Sequence, residues 1–124
     1  MPSRNILKED VAENYYHVYF RGGNRSRIFR SPSDYEKMLQ LFGRYLALEE
    51  AKGLSGKVFP NYHGKVELLA FCLMPNHVHL FLYQHQQTAM TDFMRSLLTS
   101  YSMYFNKKYK RSGPLFESRY KASL

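Results

Sequence analysis

The order of patterned segments along 124 residues predicts an α+β sandwich, an antiparallel sheet carrying its helices on one face. Three observations support it. Residues 15–21 and 65–83 are rich in β-branched and aromatic side chains, two other segments repeat apolar residues at helical spacing, and together these read β–α–β–β–α. A hydrophobic fraction of 44% with 11 Tyr and 9 Phe fits one packed core and excludes a disordered chain.

Residues 1–13 are polar and predict a flexible arm, leaving 14–124 as a single domain. Residues 15–21 (YYHVYFR) read as a strand that ends in the turn Gly22-Gly23-Asn24. Ser31-Pro32-Ser33-Asp34 starts a helix, with Ser at the cap and Pro in the first turn. Tyr35, Met38, Leu39, Phe42, Tyr45 and Leu46 give that helix one apolar face, and Gly53 is its expected end. A Gly- and Pro-containing loop covers 53–64.

Residues 65–74 are apolar at nearly every position, which predicts a central strand buried on both faces with Cys72 as a small buried hydrophobe. Pro75 joins it tightly to a strand over 76–83. In that strand Val78, Leu80 and Leu82 point one way, and His77, His79, Phe81 and Tyr83 the other. Thr88 is placed to cap a second helix, with Met90, Phe93, Met94, Leu97, Leu98, Tyr101, Tyr104 and Phe105 on its buried face. The order is that of a split βαβ, ferredoxin-like sandwich, which needs one further strand. Residues 115–124 (LFESRYKASL) pattern poorly as a strand, so the C-terminal strand is expected to be absent.

Charge narrows the function. Lys+Arg is 18 against 10 Asp+Glu, a net +8 that suits a polyanion. No apolar run is long enough to span a membrane, and the N-terminal residues have no apolar core of a secretory signal. The single cysteine excludes an intrachain disulfide and a cysteine-based zinc site, and it fits a reducing cytoplasm, the expected location. Basic residues cluster twice, at Arg21, Arg25, Arg27 and Arg30, and at Lys107, Lys108, Lys110, Arg111, Arg119 and Lys121. Such clusters are often only solvated loops. Here they are interleaved with Phe29, Tyr109, Phe116 and Tyr120, which favours nucleic acid: arginines for phosphates, aromatic rings for unpaired bases. Arg21, Asn24, Arg25, Arg27, Lys107, Lys108, Arg111, Arg119 and Lys121 are the contact candidates.

Pro75-Asn76-His77-Val78-His79 is the segment most suggestive of chemistry. Two histidines separated by one residue on a strand project from one face, and two adjacent imidazoles can hold one divalent cation. A bare His-x-His is more often a half-exposed strand face. His17, on the first strand, is placed to neighbour the pair in a packing or hydrogen-bonding role, whereas His63 and His85 fall in loops without an assignable role.

The string Met74-Pro75-Asn76-His77-Val78-His79-Leu80 closely resembles the single-tyrosine transposases of the HUH nuclease class, most of all REP-associated tyrosine transposases and their insertion-sequence relatives. Tyr16-His17-Val18 with Arg21-Gly22, Ile28-Phe29 before Asp34, Tyr104-Phe105-Asn106, Ser112-Gly113-Pro114-Leu115-Phe116 and Arg119-Tyr120-Lys121 agree in order, over about 14–122. The resemblance implies an enzyme that cuts and rejoins single-stranded DNA at or beside hairpins, with Mg²⁺ or Mn²⁺ on His77, His79 and a third polar side chain. It also implies a tyrosine that becomes joined to the 5′-phosphate. In the family that tyrosine lies on a helix after the last strand, in a Tyr-x-x-x-Asn or Tyr-x-x-x-Gln pattern. No tyrosine following the second helix has Asn or Gln four residues on. The expectation is therefore that the nucleophile helix is missing and the nucleophile lies beyond Leu124, in a truncated form of the enzyme.

Tyr120, in the basic tail, is the freest internal substitute. Tyr101 and Tyr104 read as core, and Phe81 and Tyr83 as packing on the His face. An exposed His face would favour association, so a homodimer is a candidate assembly. The competing readings are a non-catalytic module of the same fold that binds single-stranded nucleic acid, and a plain metal-binding or structural domain.

Overall fold

The computed structural model describes residues 11–47, 59–117 and 120–123. Four strands form one antiparallel sheet: β1 (Asn14–Arg21), β2 (Val66–Met74), β3 (His77–Gln84) and β4 (Lys121–Ser123), in the order β2-β3-β1-β4. Helices α1 (Pro32–Leu46) and α2 (Ala89–Lys108) pack together on one face. This is the predicted ferredoxin-like sandwich, with the fourth strand that the sequence reading left out. β4 is short, but it pairs with the middle of β1, through His17 with Ser123, Val18 with Ala122 and Tyr19 with Lys121.

The core lies between the helices and the inner sheet face. Tyr16, Val18 and Phe20 of β1 and Val78, Leu80 and Leu82 of β3 meet Met38, Leu41, Phe42 and Tyr45 of α1. From α2 come Met90, Phe93, Met94, Leu97, Tyr101 and Phe105, while Leu98 and Tyr104 are only partly buried. On α1 the buried face runs through Leu41, and the expected Leu39 is exposed. α1 also ends at Leu46, short of Gly53, which lies outside the described residues. The cause is local. The Tyr45 carbonyl accepts the Tyr62 amide, a His63 ring nitrogen meets the Leu46 carbonyl, and the Asn61 amide reaches the Ala47 carbonyl. These contacts satisfy the last carbonyls and turn the chain away. At the start of α2, Thr88 holds the cap position in the left-handed region with φ 67°, but its side chain makes no capping bond. Instead Gln84 Oε1 accepts the Met90 amide at 2.7 Å.

β2 departs most from expectation: it is an edge strand and largely exposed. The register explains which side chains face out. Leu68 pairs with Leu82, yet Ala70 pairs with Phe81, so Leu69 is an extra residue, a β-bulge. Beyond it the alternation is reset, and Ala70, Cys72 and Met74 stand opposite Phe81, His79 and His77, on the face away from the helices. Cys72 is consequently exposed rather than buried.

Candidate functional site

The face of the sheet opposite the helices carries Tyr15, His17, Tyr19 and Arg21 from β1, alternating with the buried Tyr16, Val18 and Phe20. β3 adds His77, His79, Phe81 and Tyr83. Antiparallel pairing sets Arg21 opposite His77 and Tyr19 opposite His79. Val78 is fully buried between the two histidines and anchors the strand, so both imidazoles are held to the open face. Their ring centroids lie 5.2 Å apart, edge to face.

Each imidazole has one nitrogen engaged. His77 Nδ1 lies 2.8 Å from Asn76 Oδ1, and His79 Nδ1 lies 2.9 Å from His17 Nε2. Burial, with the neighbouring His17 and His77 imidazoles, holds the His79 pKa below its ordinary value. Tyr19 flanks the pair, its ring 4.8 Å from His79 and 5.9 Å from His77. The sequence reading missed Tyr19; strand alternation alone would have put it on the His face. A shallow depression of about 190 Å³ beside the pair is lined by His17, Cys72, His79 and Phe81 among others. Further along the face Tyr15 stacks on Phe81 at 5.6 Å and meets Tyr83 edge-on at 4.8 Å. Among the described residues, no three His, Cys, Asp or Glu side chains form a group able to hold a metal ion.

Both basic segments reach the His77 end of the sheet. The Gly22 amide donates to the Asn76 carbonyl, the Ile28 amide to the Pro75 carbonyl, and Asn76 Nδ2 reaches the Arg25 carbonyl. This loop closes tightly: a Cβ on Gly22 would stand 2.3 Å from the Ser26 carbonyl oxygen, so only glycine fits. From the other segment, Leu115 accepts the Gly23 amide and the Glu117 amide donates to the Arg21 carbonyl. Between the Pro75 turn and α1 lies a groove of about 470 Å³, lined by Arg27, Phe29, Arg30, Tyr35 and Pro75 among others.

The predicted contact residues divide into two groups. Asn24, Arg25, Arg27 and Lys107 are exposed, and Lys121 is half-buried on β4. Arg21 pairs with Glu117 at 2.7 Å, and Arg111 binds Asn106 Oδ1 at 2.6 Å and the Pro114 carbonyl at 3.2 Å. Lys108 reaches the buried Asp34 at 2.8 Å. These three cations have structural duties. Arg119 lies outside the described residues.

Tyr101, Tyr104 and Tyr120, the tyrosines weighed as internal substitutes, are poorly placed for attack. Tyr120 is not free but buried, 8% exposed, with its hydroxyl 3.2 Å from Thr91 Oγ1 on α2, across the sheet from the histidines. Tyr101 is fully buried, donates to the Ile28 carbonyl, and has its pKa raised chiefly by burial. Tyr104 donates to Asp34 at 2.6 Å. Tyr83 and Gln87 have the four-residue spacing, but Tyr83 is on β3 and Gln87 in the turn before α2, so they share no helix face. His85 pairs with Glu67 at 2.6 Å, away from the site.

A ferredoxin-like sheet with adjacent imidazoles on its open face, and basic segments gathered at one end of it, defines the class of domain. The particular family follows from comparison. The family described as "Transposase IS200 like" matches residues 10–124, and the chain belongs to it. A solved structure described as a "putative transposase" from Deinococcus radiodurans R1 superposes with a TM-score of 0.59. It covers 94% of this chain and 82% of the other at 16% identity, a likeness of fold. No curated protein matches the sequence.

Proposed function

We propose that this transposase-family domain is a DNA nicking and joining unit that binds single-stranded or hairpin DNA and works with a divalent cation, Mg²⁺ or Mn²⁺, in the cytoplasm. One observation carries the reading: His77 and His79 stand side by side on the open face, each with Nδ1 engaged, at the end of the sheet where both basic segments meet. The donor set fits a cation in kind, with two imidazole nitrogens from one strand. His77 and His79 would hold it, and when bound it supplies Lewis-acid polarisation of a scissile phosphate.

The other roles belong to the protein's own side chains. Arg25, Arg27 and Lys107 contact phosphates, and Tyr15, Phe81 and Tyr83 offer ring faces and edges to unpaired bases. In the covalent step a tyrosine oxygen bonds to phosphorus and the bond to the 3′ oxygen breaks. The result is a 5′-phosphotyrosine and a free 3′-hydroxyl that can reverse the reaction. The burial of Tyr101 and Tyr120 argues against either of them as that tyrosine.

Titrating Mn²⁺ against wild type and His77→Ala/His79→Ala, with the imidazole resonances followed by NMR, tests the site. The wild type should respond and the double variant should not; equal responses would sink the reading. Labelled hairpin DNA with Mn²⁺ should bind without forming a denaturant-resistant adduct on this chain. An adduct abolished by Tyr19→Phe or Tyr120→Phe would instead place the nucleophile within it. The exposed aromatic row also suits a binding module without catalysis, and hairpin binding with no Mn²⁺ response in either protein would favour that alternative.

A further inference from the structure

We infer that His17 is a positioning residue for His79: its Nε2 accepts the His79 Nδ1–H bond and leaves the His79 Nε2 lone pair to match that of His77. The inference rests on the cation reading above. It begins with His77, whose partner is unambiguous. Asn76 Oδ1 can only accept, and the Asn76 amide is oriented by its Nδ2 donating to the Arg25 carbonyl at 3.4 Å. His77 therefore carries its proton on Nδ1, and its Nε2 is a bare acceptor.

His79 has the same nitrogen engaged, with a different partner. The His17 and His79 rings lie nearly parallel, 14° apart with centroids 5.0 Å apart, and Nε2 of His17 is 2.9 Å from Nδ1 of His79. Two neutral imidazoles in this contact share one proton in one of two arrangements. If His17 donates, His79 keeps its proton on Nε2 and has no lone pair to offer there. If His79 donates, both strand histidines present Nε2 in the same state. A metal-binding histidine commonly donates its second ring N–H to an acceptor that fixes its tautomer, and here Asn76 and His17 are the acceptors available. His17 lies diagonally across the β1–β3 ladder, since Phe81 is its register partner and Tyr19 is that of His79.

Long-range ¹H–¹⁵N spectra of the metal-free full chain at pH 8 test this directly. His77 and His79 should both show Nδ1–H with a pyridine-like Nε2. In His17→Phe the His79 pattern should move toward Nε2–H while His77 stays unchanged, and Mn²⁺ affinity should fall about 10–100-fold. His17→Gln, whose side-chain oxygen can accept the same bond, should restore both in part. An Nε2–H tautomer for His79 in the wild type, or one unmoved in His17→Phe, overturns the inference. The wild-type spectrum decides this even if His17→Phe fails to fold. Equal Mn²⁺ responses in wild type and His77→Ala/His79→Ala would count against the cation site alone, because the tautomer is read without metal.

Discussion

Asp34 shows how much one buried side chain can organise. It is fully buried in the first turn of α1 and accepts five hydrogen bonds: Tyr104 and Lys108 on Oδ1, and Tyr109 and the Arg30 and Ser31 amides on Oδ2. Burial pushes its pKa up, but the bonds from Lys108, Tyr104, Tyr109 and the Arg30 amide outweigh this and hold it well below the usual carboxylate range. The unfolded chain therefore takes up the proton first. The stabilisation is complete above the ordinary value of 3.8 and is lost as pH falls below it toward the folded value. Asp34→Asn, which puts an amide nitrogen where a buried carboxylate oxygen accepted and leaves buried donors unpaired, should cost roughly 1–3 kcal/mol at pH 7. Urea denaturation between pH 5 and 2 should show the variant losing less stability than wild type; parallel losses would remove Asp34 from the acid transition.

Among the elements, β3 was legible and β2 was not, for a physical reason. In β3 every second residue is buried and the intervening ones form the His face, so period-two patterning gives orientation and site together. β2 carries apolar residues on both faces because of its bulge and its edge position, neither of which apolarity alone encodes. β4 is three residues long and owes its place to pairing with β1, so its own sequence carries little signal. His17 is expected beside the His pair, but which nitrogen meets His79 depends on the β1–β3 register, which no local pattern specifies. The exposed β2 edge has a consequence of its own. Leu69 is 47% exposed at the bulge of an edge strand, and such edges favour association. Leu69→Lys should reduce concentration-dependent self-association in light scattering with little change in thermal stability. Unchanged association would mean that the β2 edge is not the surface involved.

For the whole molecule, the net charge of +8 matters through its placement. Backbone bonds from 22–28 to the Pro75–Asn76 turn, and from 115–117 to Arg21 and Gly23, bring two basic segments distant in sequence to one end of the sheet. The cations there are not equivalent. Arg21, Lys108 and Arg111 are held in internal bonds, so removing them disturbs the fold as well as the surface. Arg25 and Arg27 are exposed and make no side-chain ion pair among the described residues, so their charge is available to phosphates. On single strands each neutralised phosphate contributes about 0.7 to the slope of log affinity against log salt. Arg25→Ala/Arg27→Ala should then flatten that slope for hairpin DNA by roughly 1–2 units, with the melting temperature nearly unchanged. Lys108→Ala should show the opposite balance, a clear loss of stability and a smaller change in slope, because its charge is spent on Asp34. A slope untouched by the double substitution would mean that the first basic segment does not contact DNA and that the binding surface lies elsewhere on the molecule.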